Sequence, residues 1–188
     1  MVTVQRSVPA AIPRSKAAAG DRMLLPAATF FVIAVLVHGA DHLRRGADNL
    51  DADVFWLGTA AIPLEIAVVV LICQRHRLAP LASTAIGFGL AVGYLVVHFL
   101  PARSWASDSF TSAVDVSPLS WSAASLEVAA AVVLGVAGVA VLRQRGGLAS
   151  ASVPVEGQVE LGRALRHPLA VTMIAGNALI LVVSFAQL

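Results

Sequence analysis

The chain has 188 residues, of which 58% are hydrophobic and 13% charged, with a mean hydropathy of +0.82. A soluble domain is about half apolar and about a quarter charged, so this chain cannot cover a water-facing surface with polar groups and its solvent is lipid. The net charge of +2 is carried by residues that punctuate the hydrophobic runs, which excludes a nucleic-acid patch, and the single cysteine, Cys73, excludes an internal disulfide.

Residues 1–22 carry Arg6, Pro9, Pro13, Arg14, Lys16 and Arg22 and read as a flexible cytoplasmic tail. No small-residue cleavage site follows the first apolar run, which argues against a secretory signal. A spanning helix needs about 20 mostly apolar residues, and five segments supply them: 24–44, 54–73, 79–100, 119–142 and 168–187. The predicted fold is all-α and integral to the membrane. A four-helix transmembrane bundle occupies 23–145, a cytoplasmic linker 146–167, and a peripheral fifth transmembrane helix 168–188. The stretch 143–167 is rich in Gly, Ser and Pro at first and predicts a short interfacial helix before Pro168.

Orientation follows the Lys/Arg bias of the loops. With the N-terminus inside, Arg6, Arg14, Lys16, Arg22, Arg75, Arg77, Arg143, Arg145, Arg163 and Arg166 are cytoplasmic, and only Arg44, Arg45 and Arg103 lie outside. The outer loops are acidic instead, with Asp48, Asp51, Asp53, Asp108 and Asp115, and Trp56, Trp105 and Trp121 stand at the same edge, as an aromatic belt does. The C-terminus is then outside. The preference for arginine over lysine, with abundant alanine and valine, is the composition of a GC-rich bacterial genome, which makes the membrane a bacterial plasma membrane.

The first two hairpins repeat a pattern. Val37-His38 and Val97-His98 lie near the outer ends of ascending helices, and Leu64-Glu65 and Leu126-Glu127 lie in descending helices that end in basic QRHR or RQR. Two hairpins so related pack about an axis along the membrane normal, as parallel repeats do.

The stretch VLVHGADHLRRG (35–46) puts His38, Asp41 and His42 at positions three and four apart, on one helix face. At a rise of about 1.5 Å per residue, these three, with His98 and Glu127, fall in the outer half of the membrane and Glu65 near its middle. Each is costly alone, about 2.5–3.5 kcal/mol for an acidic or basic residue at a helix centre. Facing one another in the interior they can exchange hydrogen bonds or share a cation. The candidate metal ligands are therefore His38, Asp41, His42, Glu65, His98 and Glu127, with Asp41 as ligand or as a partner that orients a histidine. Imidazole and carboxylate donors suit zinc, copper, iron, nickel or manganese. Because the Glu-x-x-His spacing of di-metal bundles is missing, a single ion is expected.

Three other readings stay open. A redox protein would hold haem between His42 or His38 and His98, or a quinone. A structural or adaptor protein would use the polar groups only as interhelical hydrogen bonds. Proton-coupled transport would need polar groups in the inner half, where no ionisable residue lies. Gly87, Gly89 and Gly93, like Gly135 and Gly138, read as close helix contacts. His76 and His167 read as solvated boundary residues, and Asn177 as a hydrogen bond to the bundle or between two copies of a homodimer or a partner membrane protein. The loop 104–121 is long enough to fold back over the site as a lid. No catalytic triad, Walker loop or dinucleotide fingerprint occurs, so the sequence does not decide whether the protein is an enzyme.

HGADH resembles the His-x4-Asp-His element of nickel/cobalt permeases, whose first motif helix binds the transported ion; here the spacing is His38-x2-Asp41-His42, two residues shorter. Over residues 24–145 the chain resembles small polytopic membrane proteins of actinobacteria that carry a HGxDH-like stretch. The first resemblance implies metal-binding chemistry; the second implies a membrane protein and no particular activity.

Overall fold

Hydrocarbon offers the backbone no hydrogen-bond partners, so each apolar run must satisfy its own N–H and C=O groups as a helix. In the computed structural model, which describes residues 14–46, 51–101, 107–112, 116–146 and 158–187, the five runs are α1 (Arg14–Arg45), α2 (Ala52–Cys73), α3 (Ala79–Tyr94), α4 (Pro118–Gln144) and α6 (Pro168–Gln187). A one-turn α5 (Leu161–Ala164) precedes the last, where the sequence predicts a short helix. The described residues contain no strand. Five helices are long and apolar enough to cross a membrane, which makes the chain, by length and composition, a multi-pass membrane protein. α1 begins inside the segment expected to be a tail. The tail up to Pro13, Asp48, Arg103, Trp105, Asp115 and linker residues 147–157 lie outside the described residues.

Local chemistry sets the helix ends. α1 and α4 are followed by Gly46 and Gly146, both at φ 90°, a region that glycine enters without a side-chain penalty and that commonly ends a helix. α4 opens on Ser117, whose hydroxyl accepts from the Ser120 N–H at 3.2 Å, with Pro118 in the first turn. His76 and His167 do more than face solvent: their Nδ1 atoms accept from the Leu78 and Leu169 N–H groups, each at 3.2 Å, tying down the starts of α3 and α6.

Small residues decide the packing. α4 lies along both α1 and α3. A Cβ on Gly87 would come within 2.6 Å of Gly135 N, and one on Gly138 within 2.6 Å of Pro80 O, so α3 and α4 approach as closely as backbones allow. Ala28, Phe31, Ala34, Ala130, Ala131 and Leu134 fill the α1–α4 side without exposure. The fifth span is not peripheral: α6 packs on α1 and α2, with Ile180 seated on Gly39 and Leu36 seated on Gly176. A glycine on each helix admits a branched side chain of the other.

α2 is packed unevenly. Val68, Val69, Val70, Ile72 and Cys73 are buried, whereas Trp56, Leu57 and Gly58 are exposed. Pro63 lies between these halves and withdraws one N–H from the helix ladder. α3 passes into a π-helical turn, Leu95–Phe99. Such turns are rare and recur at functional sites; this one carries His98.

Candidate metal centre

His38 and His42 are one turn apart on α1, and the π turn brings His98 against them. The His38 ring contacts both others edge-on, with centroids 4.4 Å from His42 and 4.7 Å from His98; His42 and His98 are 5.9 Å apart. One ring nitrogen from each lies within 4.8 Å of the other two. A tetrahedral ion with metal–nitrogen bonds of about 2.0–2.1 Å holds its nitrogens roughly 3.3 Å apart, so the three nitrogens stand near the spacing that one ion requires. His38 and His98 are buried.

The neighbours of the rings fix their tautomers. His98 Nδ1 lies 3.3 Å from the Asp108 carbonyl and 3.5 Å from its carboxylate, so Nδ1 donates and Nε2 keeps its lone pair. That is the carboxylate–histidine pairing that orients metal ligands. His42 is held the opposite way. Arg45 Nη2 donates to His42 Nδ1 at 2.8 Å, which leaves the proton of the neutral ring on Nε2. His42 Nε2 is 2.9 Å from His38 Nε2 and in that state donates to it. Glu127 Oε2 approaches the same His38 nitrogen at 3.5 Å.

Asp41 faces the arginines rather than the rings. Its Oδ1 accepts from Arg44 Nη2 at 2.8 Å, and its Oδ2 lies 3.3 Å from Arg45 Nε. It acts on the cluster through Arg45, which it shares with Asp108 (2.8 Å) and His42. Glu65 does not reach the rings directly; its Oε1 accepts from the Tyr94 hydroxyl at 2.7 Å, and Tyr94 also interacts with Glu127. The order Glu65–Tyr94–Glu127–His38 thus joins the carboxyls to the histidines.

The described part of the third loop covers the site. Phe110 N–H donates to the His98 carbonyl at 2.9 Å; its buried ring lies tilted against His98 at 5.0 Å and meets Trp121 edge-on at 5.4 Å, and Arg45 lies over it. Burial alone would push the Asp108 carboxyl up, but hydrogen bonds from His98 and Arg45 outweigh it and hold Asp108 well below the usual carboxylate range. Among the described residues Asn177 makes no bond across helices: its amide donates to the Met173 carbonyl at 3.0 Å on its own helix.

Sequence reasoning missed Arg45, Tyr94 and Phe110. Tyr94, the chain's single tyrosine, sits four residues before His98, and that spacing was a readable signal. Arg45 sits three residues after His42, a spacing that was equally readable, but its pairing with Asp108 needed the loop to arrive. The histidines, Glu65, Tyr94 and Glu127 line a cavity of about 570 Å³ bounded by α1, α2, α3 and α6, with Glu127 reaching it from α4. No family model, curated protein or solved structure matches the chain.

Proposed function

We propose that this membrane protein holds one divalent transition-metal ion on His38, His42 and His98, on the outer side of a bacterial plasma membrane, with its N-terminus in the cytoplasm and its C-terminus outside. The observation that carries the reading is the convergence of three ring nitrogens within 4.8 Å in a place where each imidazole alone is costly. Imidazole suits zinc, copper, iron and nickel. Three histidines with a further position open are the donor set of catalytic zinc sites, and Glu127, 3.5 Å from His38 Nε2, stands where a fourth ligand or a base would. The arginine asymmetry of the loops supports the orientation.

The ion is resident rather than in transit. The segment 107–112 covers the site on one side, and beyond Glu65 and Glu127, towards the arginine-rich end, the spans carry no further histidine or carboxylate among the described residues. Haem is not proposed, because rings in edge contact at 4.4 and 4.7 Å leave no gap for a porphyrin plane.

Elemental analysis of the purified chain, after incubation with Zn(II), Cu(II), Fe(II) or Ni(II) and removal of excess ion, tests the reading. One ion per chain is expected, lost in His38→Ala and His98→Ala and kept in His76→Ala and His167→Ala. Failure of the wild type to retain any of the four ions would overturn it and leave the polar residues as interhelical glue; unchanged folding of a His38→Ala/Glu127→Ala double variant would then argue against glue as well.

A further inference from the structure

The cavity beside the histidines has a chemistry of its own. Its volume of about 570 Å³ lies within the range of sites that take small organic ligands, roughly 300–1,000 Å³. Its walls are mostly apolar, with a limited set of polar groups among them: the histidines, Glu65, Tyr94 and Glu127, and Thr59, Asn177 and Ser184 on α2 and α6. Such a pattern, an apolar vessel with a few placed polar groups, characterises ligand pockets.

Three glycines line the cavity on α2 and α3: Gly58, Gly89 and Gly93. A Cβ added at any of them meets nothing within 4 Å. They are therefore not the close helix contacts that Gly87, Gly135 and Gly138 provide, and the expectation of such contacts at Gly89 and Gly93 is corrected. All three are also exposed on the side of the bundle. A residue that both lines the cavity and lies on the lateral surface marks its mouth. The mouth runs between α2 and α3, within two membrane spans, and opens to lipid rather than to water.

A polar atom points to what enters. Glu65 is 4% exposed and lines the cavity. Its Oε1 accepts from Tyr94, whereas its buried Oε2 has no hydrogen-bond partner among the described residues. A buried polar atom without a partner is costly, and native structures rarely keep one. Acyl chains of the bilayer fill the apolar volume but cannot satisfy a carboxyl oxygen. A hydroxyl can: it donates to the ionised carboxylate and accepts from the neutral acid.

We propose that the cavity between the outer halves of α2 and α3 is a binding site for a membrane-soluble molecule with an apolar body and a terminal hydroxyl, which enters from the lipid and hydrogen-bonds to Glu65 Oε2. The proposal stands on the cavity, its lateral mouth and the carboxyl, and does not draw on the metal. A long-chain alcohol and a prenylated hydroquinone present the same chemistry.

The experiment is photolabelling of the full chain in nanodiscs with a diazirine-bearing hexadecanol, mapped by mass spectrometry. Label is expected to concentrate on residues 57–65 and 85–97 and to exceed that of the matching methyl ether, which cannot donate, at least fivefold. Gly89→Leu and Gly93→Leu fill the mouth and should lower the label several-fold; Glu65→Leu should abolish the preference for alcohol over ether. Excess unlabelled hexadecanol or decylhydroquinone should compete with the label in the wild type, whatever the folding of the variants, and the stronger competitor identifies the source. Label spread over all lipid-facing helices, or equal for alcohol and ether, would mean that ordinary acyl chains occupy the space and would overturn the proposal. Metal content measured on the same samples keeps the two readings apart: label without metal sinks only the ion site, and metal without label sinks only this one.

Discussion

The Nε2 atoms of His38 and His42 stand 2.9 Å apart across one turn of α1, closer than two lone pairs approach without a proton or a cation between them. Arg45 supplies the reason for a proton. By donating to His42 Nδ1 it forces the neutral ring to carry its hydrogen on Nε2, while Asp108 forces His98 to carry its own on Nδ1. The metal-free protein is therefore expected to show opposite tautomers at positions 42 and 98 in nitrogen-15 NMR. Loading with Zn(II) should convert residue 42 to the Nδ1-protonated form, since the ion needs the Nε2 lone pair. Identical tautomers at the two positions in the metal-free protein would refute this account of the cluster.

The same contact makes Arg45 a competitor of the ion. Its guanidinium holds the His42 proton in the wrong place and adds positive charge beside the site, although it also ties Asp108 and Asp41 together. Arg45→Met keeps the length and the contact with Phe110 but removes both effects. We expect metal affinity about tenfold higher, equivalent to about 1.4 kcal/mol, by competition with a chelator of known affinity. Weaker binding in the variant would instead show that Arg45 builds the site through Asp108.

How much of this was legible in the chain differs by kind of interaction. The spans could be read because lipid demands long apolar runs, and the convergence of His38, His42 and His98 because helical spacing and depth are properties of single helices. The partner of Asp41 was readable but passed over: Arg44 and Arg45 follow it at three and four residues, the spacing of a helical ion pair, and they take the carboxyl. The π turn that aims His98 adds no letter to the sequence. Asp108 and Phe110 depend on where a loop returns, which no local pattern encodes. Gly89 and Gly87 look alike in sequence, yet one lines open space and the other touches Gly135, because α2 is loosely packed where α4 is not.

That contrast between glycines is testable without any ligand. A Cβ at Gly87 would stand 2.6 Å from Gly135 N and 2.8 Å from Ala131 O, backbone atoms that cannot step aside unless two helices part. Gly87→Ala should cost about 1–3 kcal/mol, the usual size of overpacking, and Gly138→Ala a similar amount. Gly89→Ala meets nothing within 4 Å and should be neutral or stabilising by up to about 1 kcal/mol, the helix-propensity gain of alanine over glycine. Thermal unfolding in detergent compares the three; equal losses at 87 and 89 would contradict the packing described for α3 and α4.

Tyr94 links the loosely held part of α2 to the rest of the bundle. Its hydroxyl donates to Glu65 Oε1 at 2.7 Å, and α2 from Ala52 to Leu64 has few other buried side chains. Tyr94→Phe keeps the ring and removes the bond, leaving a buried carboxyl without its donor. A stability loss of about 1–2 kcal/mol is expected, between the averages for interhelical bonds in membranes and for orphaned buried groups. The loss should be local: hydrogen exchange should quicken over residues 52–65 and stay unchanged in α4, where Gly135 and Gly138 lock the contact with α3. Metal content should not move, because the three histidines keep every contact they make. If Tyr94→Phe released the ion instead, the carboxyl pair would belong to the metal site itself, and Glu65 and Glu127 would have to be counted among its ligands.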